Sequence, residues 1–208
     1  MRFMAIVFVW IILFVGTAGA SNLIVGGGFE DPIIPSGTSY LLSVNPEGWS
    51  GTGDIVEQGY AGAVSSGDGN QWFDLNPGSG SGTGISQSLS LHAGTPYLFS
   101  FLYNGSVGGS TNQITYSLAS TSETILYGSV STSSMDVFSG TSWNSFSTVF
   151  TPLTNNAAML SFTPDGTIAG GFIDAVNISI VPEPVSSALF IIGGATLGFR
   201  HFRKKFKK

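Results

Sequence analysis

The sequence predicts an all-β protein built as an antiparallel β-sandwich. Three observations carry this. Short runs rich in Val, Ile, Phe, Tyr, Ser and Thr are punctuated by Gly, Asn, Asp and Pro. Helical periodicity is nowhere sustained. Several runs also alternate cleanly, as in Tyr97-Leu98-Phe99-Ser100-Phe101-Leu102-Tyr103, where the aromatics share one face. Many short strands with a turn signal every dozen residues or so fit two packed sheets.

Taken in order, the chain opens on a secretory signal pattern. Arg2 supplies a positive start, Phe3 to Val15 an apolar core and Ala18-Gly19-Ala20 a small-residue site, so cleavage is expected after Ala20. Strands are then predicted at Asn22–Val25, Gly53–Gln58, Gln71–Asn76, Gly84–Leu91 and Tyr97–Tyr103, each an apolar or aromatic run closed by Gly, Asn or Pro. The second half repeats the pattern at Gln113–Ala119, Thr124–Val130, Trp143–Thr151, Ala157–Thr163 and Gly171–Ile180. The glycine- and serine-rich stretches Asn76–Gly84 and Gly105–Ser110 read as surface connections, because a phosphate cradle needs a following helix and none is predicted.

Charge narrows the function. The 208 residues hold 7 Lys and Arg and 12 Asp and Glu, for a net charge of -5. Every basic residue sits at an end: Arg2, then Arg200, Arg203, Lys204, Lys205, Lys207 and Lys208. A body with acids and no Lys or Arg would repel a phosphate backbone, which excludes nucleic acid as a partner. It also excludes phosphoryl transfer with Lys or Arg clamps. Cysteine is absent, so neither disulfides nor thiolate-bound zinc enter. Divalent cations and neutral polar ligands such as sugars remain natural partners.

Several segments, in this order, resemble the galactose-binding-like jelly rolls that include many carbohydrate-binding modules. They are Asn22-Leu23-Ile24-Val25-Gly26-Gly27-Gly28-Phe29-Glu30, Gly48-Trp49-Ser50, Gly69-Asn70-Gln71-Trp72-Phe73-Asp74-Leu75, Ile85-Ser86-Gln87-Ser88-Leu89, Ala93-Gly94-Thr95-Pro96-Tyr97 and Phe172-Ile173-Asp174-Ala175-Val176. The resemblance covers about Asn22 to Val181 and implies a jelly-roll sandwich. It implies a structural Ca2+ held by the Glu that closes the first strand and the Asp of the last, here Glu30 and Asp174. Calcium takes oxygen ligands from carboxylates and backbone carbonyls, which suits this composition; the alternative is that both carboxylates are merely solvated or hydrogen-bonded to backbone amides. Glycines stand at 26 to 28 where related chains more often carry Asn and Ser, so a looser loop is expected there.

Aromatic rings are the other candidate site. Trp49, Tyr60, Trp72 and Trp143 could stack on sugar faces, although aromatics in a sandwich are more often core. A glycosidase would need paired carboxylates. Asp54 with Glu57 falls on opposite strand faces, Asp68, the partner considered for Asp74, lies in a turn, and His92 stands in a turn too, so no catalytic residue is expected. The tripeptides Asn104-Gly105-Ser106 and Asn177-Ile178-Ser179 match a glycosylation pattern that is close to chance in a Ser-rich chain.

The C-terminus reads as an address. Val181-Pro182-Glu183-Pro184 precedes the apolar run Val185–Phe199 and the basic tail Arg200–Lys208. Together these resemble the PEP-CTERM sorting signal of Gram-negative bacteria, which implies processing by an exosortase in the inner membrane. The two prolines force an extended backbone. The run reads as a single transmembrane helix, rising about 23 Å at roughly 1.5 Å per residue, with the cationic tail cytoplasmic. The chain is therefore expected to comprise a signal peptide (1–20), a β-sandwich (21–181) and a sorting signal (182–208). Signal peptidase and exosortase are its handling partners. Its expected role is that of a non-catalytic cell-surface or matrix protein associated with exopolysaccharide. The alternatives are an adhesive or self-associating protein and, last, a glycoside hydrolase.

Overall fold

The computed structural model describes residues 21–35, 38, 40–57, 67–75, 84–105, 112–132, 143–164 and 171–182. Ser21 to Val181 forms a compact unit of its own. Its strands are β1 (Tyr40–Val44), β2 (Ser50–Glu57), β3 (Gln71–Asp74), β4 (Gly84–Leu91), β5 (Tyr97–Gly105), β6 (Asn112–Ala119), β7 (Thr124–Thr132), β8 (Asn144–Phe150), β9 (Asn156–Pro164) and β10 (Gly171–Ile180). All pairings are antiparallel, in the order β7-β6-β9-β4-β2-β3-β10-β5-β8, with β1 beside β2. The order folds into two layers because β2 belongs to both. Its first part, Ser50 to Thr52, pairs with β4, and its second, Asp54 to Glu57, pairs with β3. Gly51, at φ 116°, sits at this corner, where a side chain would overlap the Gly84 carbonyl.

The core lies between the layers and follows strand periodicity. In the β4 layer, Ile85, Leu89, Leu91, Ile114, Leu118, Ala158, Leu160 and Phe162 point inward, while Ser88, Ser90 and Met159 point to solvent. In the β5 layer, Phe73, Tyr97, Phe99, Phe101, Ile173 and Ile178 face them. Ring contacts cross the gap, for example Phe101 on Phe162 with centroids 5.0 Å apart and nearly perpendicular planes. With no cation among residues 3–199, this burial supplies most of the stability, at roughly 1.5–3 kcal/mol for each large side chain.

Two expectations change. Asn22–Val25 is a turn, not a strand. Its polar groups are satisfied by side chains: Asn22 Oδ1 accepts from the amides of Ile24 and Ile178 at 3.0 Å, and the Gln87 carboxamide bonds both backbone groups of Val25 at 2.8 Å. The glycines that follow make this segment tight rather than loose. Gly27 accepts from the Val176 amide at 2.9 Å, and a side chain on Gly27 would overlap the Val176 carbonyl. In compensation, β1 is a strand the pattern did not predict. Ser43, at φ 53°, lies where its register to β2 shifts, which breaks the alternation.

At the other end, β10 stops at Ile180, and the Val181 amide donates to Pro96 O at 2.9 Å. Pro182 is exposed and has no N–H with which to continue the ladder. Among the described residues no helix is long and apolar enough to cross a membrane. The signal segment 1–20 and the residues from Glu183 on, with Pro184, the run 185–199 and the tail, lie outside the described residues.

Candidate functional site

Two features on one side of the β3-β10-β5 layer stand out. The first is a turn gripped by two carboxylates. Glu30 Oε1 accepts from the amides of Asn70 and Gln71 at 2.7 Å, and Asp174 Oδ2 accepts from the amide of Asp68 at 2.7 Å. Asp174 Oδ1 takes its neighbour's amide, Ala175, also at 2.7 Å. The sequence-predicted pair Glu30 and Asp174 is thus brought to a single segment, Gly67–Gln71, which leads directly into β3. Each carboxylate adjoins a left-handed residue that is not glycine, Phe29 at φ 54° and Ala175 at φ 49°. Such backbone is costly and persists where the surroundings over-determine it.

Asp174 is 0% exposed and has no cationic partner within the domain. Burial pushes its carboxyl up from the ordinary 3.8 to about 8, against the amide bonds from Asp68, Ala175 and Gly67, and the Asp68 carboxylate adds to the rise. A hard cation would relieve that burial. The donor chemistry of Glu30 and Asp174 fits calcium, but no group of three or more acidic or histidine side chains surrounds a common point among the described residues. Further ligands would have to come from backbone carbonyls.

The second feature is a buried aromatic cluster on the side of the same layer away from the main core, in which Trp72 is 0% and Phe172 2% exposed. Val56 and Trp72 are directly opposed across β2 and β3, and with Phe172 they form a small apolar cluster separate from the main core, against which the half-buried Trp143 packs. Trp72 meets Trp143 edge-on at 6.1 Å and Phe172 at 6.0 Å. Beside this cluster runs a row defined by strand register: Asp54 opposite Asp74, Asp74 opposite Phe172, and Phe172 opposite Asn104. Asp54 is buried and its Oδ1 accepts from the Ser43 amide at 2.8 Å.

Of the other predicted ligand-binding rings, Trp49 lies in the main core, 3% exposed, with its indole N–H donating to Gly26 O at 3.3 Å, so it offers no surface. Tyr60 lies outside the described residues. The strand register places Asp54 opposite Asp74, a pairing invisible in sequence because it depends on the register of β2 against β3. Asn104 is buried and its Oδ1 accepts from the Gly105 amide, which makes it a poor glycan acceptor. His92 is exposed in the turn before β5, away from the acidic row.

No family model matches the chain, and no characterised protein matches it by sequence. Solved structures do match in fold. A cyclase from Fischerella sp. TAU, in complex with 4-(1H-indol-3-yl)butan-2-one, superposes with a TM-score of 0.54 at 14% identity, covering 79% of this chain and 100% of that one. The N-terminal CBM22-1–CBM22-2 tandem domain of Paenibacillus barcinonensis Xyn10C gives 0.50 at 12% identity over 79% of this chain and 47% of that one. A CBM4 structure gives 0.48 at 19% identity over 76% and 99%. At these identities the likeness concerns fold: the domain is an all-β antiparallel sandwich of the jelly-roll kind seen in carbohydrate-binding modules.

Proposed function

We propose that this chain is an exported, non-catalytic protein of a Gram-negative cell surface or matrix that binds glycan on the outward face of the β3-β10-β5 layer. The observation that carries the reading is the half-buried Trp143, whose ring lies on the side of the layer away from the main core and packs against the buried cluster of Val56, Trp72 and Phe172. The carbohydrate-binding modules of similar fold support the ligand class, by analogy of fold.

Delivery rests on the sequence at the two ends. The signal pattern ending at Ala20 and the Val181-Pro182-Glu183-Pro184 motif with its apolar run and basic tail support handling by signal peptidase and an exosortase, with an inner-membrane precursor. Structural calcium at Glu30 and Asp174 belongs to the same proposal, supported by the burial of Asp174 and by the shared turn. A glycan array probed with the Ser21–Val181 domain, with calcium and with chelator, tests the reading: retention of hydroxyl-rich glycans is expected, and retention of none overturns it.

A second reading has its own observation. The terminal strands β7 and β8 carry no charged residue and no proline in Thr124–Thr132 and Asn144–Phe150, and charge and proline are the usual guards of an open edge. This favours a self-associating surface protein, which sedimentation of the same domain over a concentration series distinguishes.

A further inference from the structure

We propose that two copies of the domain pair through β8, antiparallel and centred on Ser147, so that the β5 layers of the two copies join in one continuous sheet. This rests on the self-associating reading and names the strand, the register and the occupant, a second copy of this chain.

The choice of strand follows from how edges are normally guarded. β7 and β8 end the two layers, and neither carries a charge or a proline. The ladder of β7 is nevertheless interrupted by a shift of register between Leu118 and Ala119 of β6, and such bulges turn an edge away from other strands. β8 has no such device. Its seven residues run opposite β5 in unbroken register, from Tyr97 against Phe150 to Tyr103 against Asn144, and among the described residues no strand pairs with its other side. A row of backbone N–H and C=O groups is thus left for water or for another strand.

The side chains fit β8 to itself. Phe146, Thr148 and Phe150 alternate toward the core, while Ser145, Ser147 and Val149 are exposed, Val149 by 58%. Phe146 is only half-buried, although its ring lies 5.1 Å from Phe101 and 4.7 Å from Tyr116, because β8 is the last strand of its layer. A second β8 turned about Ser147 sets Ser147 against its own copy, Phe146 against Thr148 and Ser145 against Val149. Inward residues then meet inward ones, and outward meet outward. The two Phe146 side chains lie diagonally across the pair, about 7–8 Å apart at the backbone and within reach of each other, which carries the aromatic core from one copy into the next.

Charge argues for a second copy as the occupant. Strands β5 to β9 carry no charged residue, whereas the acids of the strands, Asp54, Glu57, Asp74 and Asp174, lie on β2, β3 and β10. Two copies with acids and no Lys or Arg repel wherever those surfaces meet, and the β8 edge is where they approach without that cost. A cationic partner would be drawn to the acids instead.

Sedimentation of the Ser21–Val181 domain over a concentration series is expected to show a reversible dimer. Ser147→Glu, which sets two carboxylates directly opposite each other at the centre, is expected to raise the dissociation constant at least tenfold, whereas Ser129→Glu at an exposed position of β7 is expected to leave it unchanged. The chain has no cysteine, so cross-linking reads the register independently. Oxidised Ser147→Cys is expected to give a disulfide-linked dimer, because opposed residues stand about 4.5–5.5 Å apart, within disulfide reach. Ser145→Cys, whose two copies stand four residues apart along the pair, is expected to run as a monomer on a denaturing gel. A dimer indifferent to Ser147→Glu, one dissociated by Ser129→Glu, or equal cross-linking of the two cysteine variants overturns the β8 pairing and leaves self-association standing; a monomer at every concentration overturns both.

Discussion

Asp174 shows how one residue can set the pH response of the domain. Its carboxyl is held protonated by burial up to about pH 8, against an ordinary value of 3.8. Between those values the folded state keeps a proton that the unfolded state has released, so stability falls as pH rises through this window and is insensitive to this group below it. Thermal melts of the Ser21–Val181 domain in chelator should therefore drop from pH 4 toward pH 8, and Asp174→Asn should flatten that drop. Added calcium should act in the opposite sense, raising the melting temperature most near pH 8, where the carboxylate form it needs is available. A melt indifferent to calcium at pH 8 removes the cation from the account and leaves Glu30 and Asp174 as amide acceptors for the turn. The resemblance pointed to Glu30 and Asp174 as a pair, and each of them bonds backbone amides of the segment Gly67–Gln71. Whether they were solvated or bonded to backbone amides was left open by the sequence and needed the position of Gly67–Gln71 to be seen.

At the scale of the elements, periodicity carried the reading where both layers bury one face of a strand. β4 and β10 fall where their alternating or β-branched composition puts them, and β9 pairs with β6 so that their inward rows lie side by side. Leu160, fully buried opposite Leu118, is the element-level test: Leu160→Ala should cost about 2–5 kcal/mol in denaturant unfolding. Met159→Ala, one residue away and exposed, should cost well under 1 kcal/mol, roughly the range of ordinary surface changes. The misread pieces share a cause. Asn22–Val25 has strand composition, yet its hydrogen bonds go to the side chains of Asn22 and Gln87, a non-local arrangement that composition does not encode. β1 has a left-handed Ser43 in its middle, which spoils the pattern that would have revealed it. The acidic row was illegible for the same reason, since Asp54 and Asp74 become neighbours only through the corner at Gly51 and the register that follows it.

For the whole molecule, the proposal assigns delivery to the two ends and recognition to the domain. Apart from Arg2, every Lys and Arg lies in the segment after Phe199, so removal of that segment would leave a domain with acidic residues and no Lys or Arg. Intact-mass analysis of surface material should find a C-terminus near Pro184; a mass that includes Lys208 would instead indicate a membrane-anchored protein that keeps its tail. An acidic product suits neutral polysaccharide and divalent cations and disfavours anionic partners. The central claim remains that the outward aromatic face of the β3-β10-β5 layer holds glycan. Titration calorimetry of the Ser21–Val181 domain against a neutral oligosaccharide selected from the array, comparing the parent with Trp143→Ala, tests it most directly. Saturable binding that weakens at least tenfold in the variant, with little change in melting temperature, is the predicted result. Binding of equal strength in the two proteins would place the ligand elsewhere and contradict the claim.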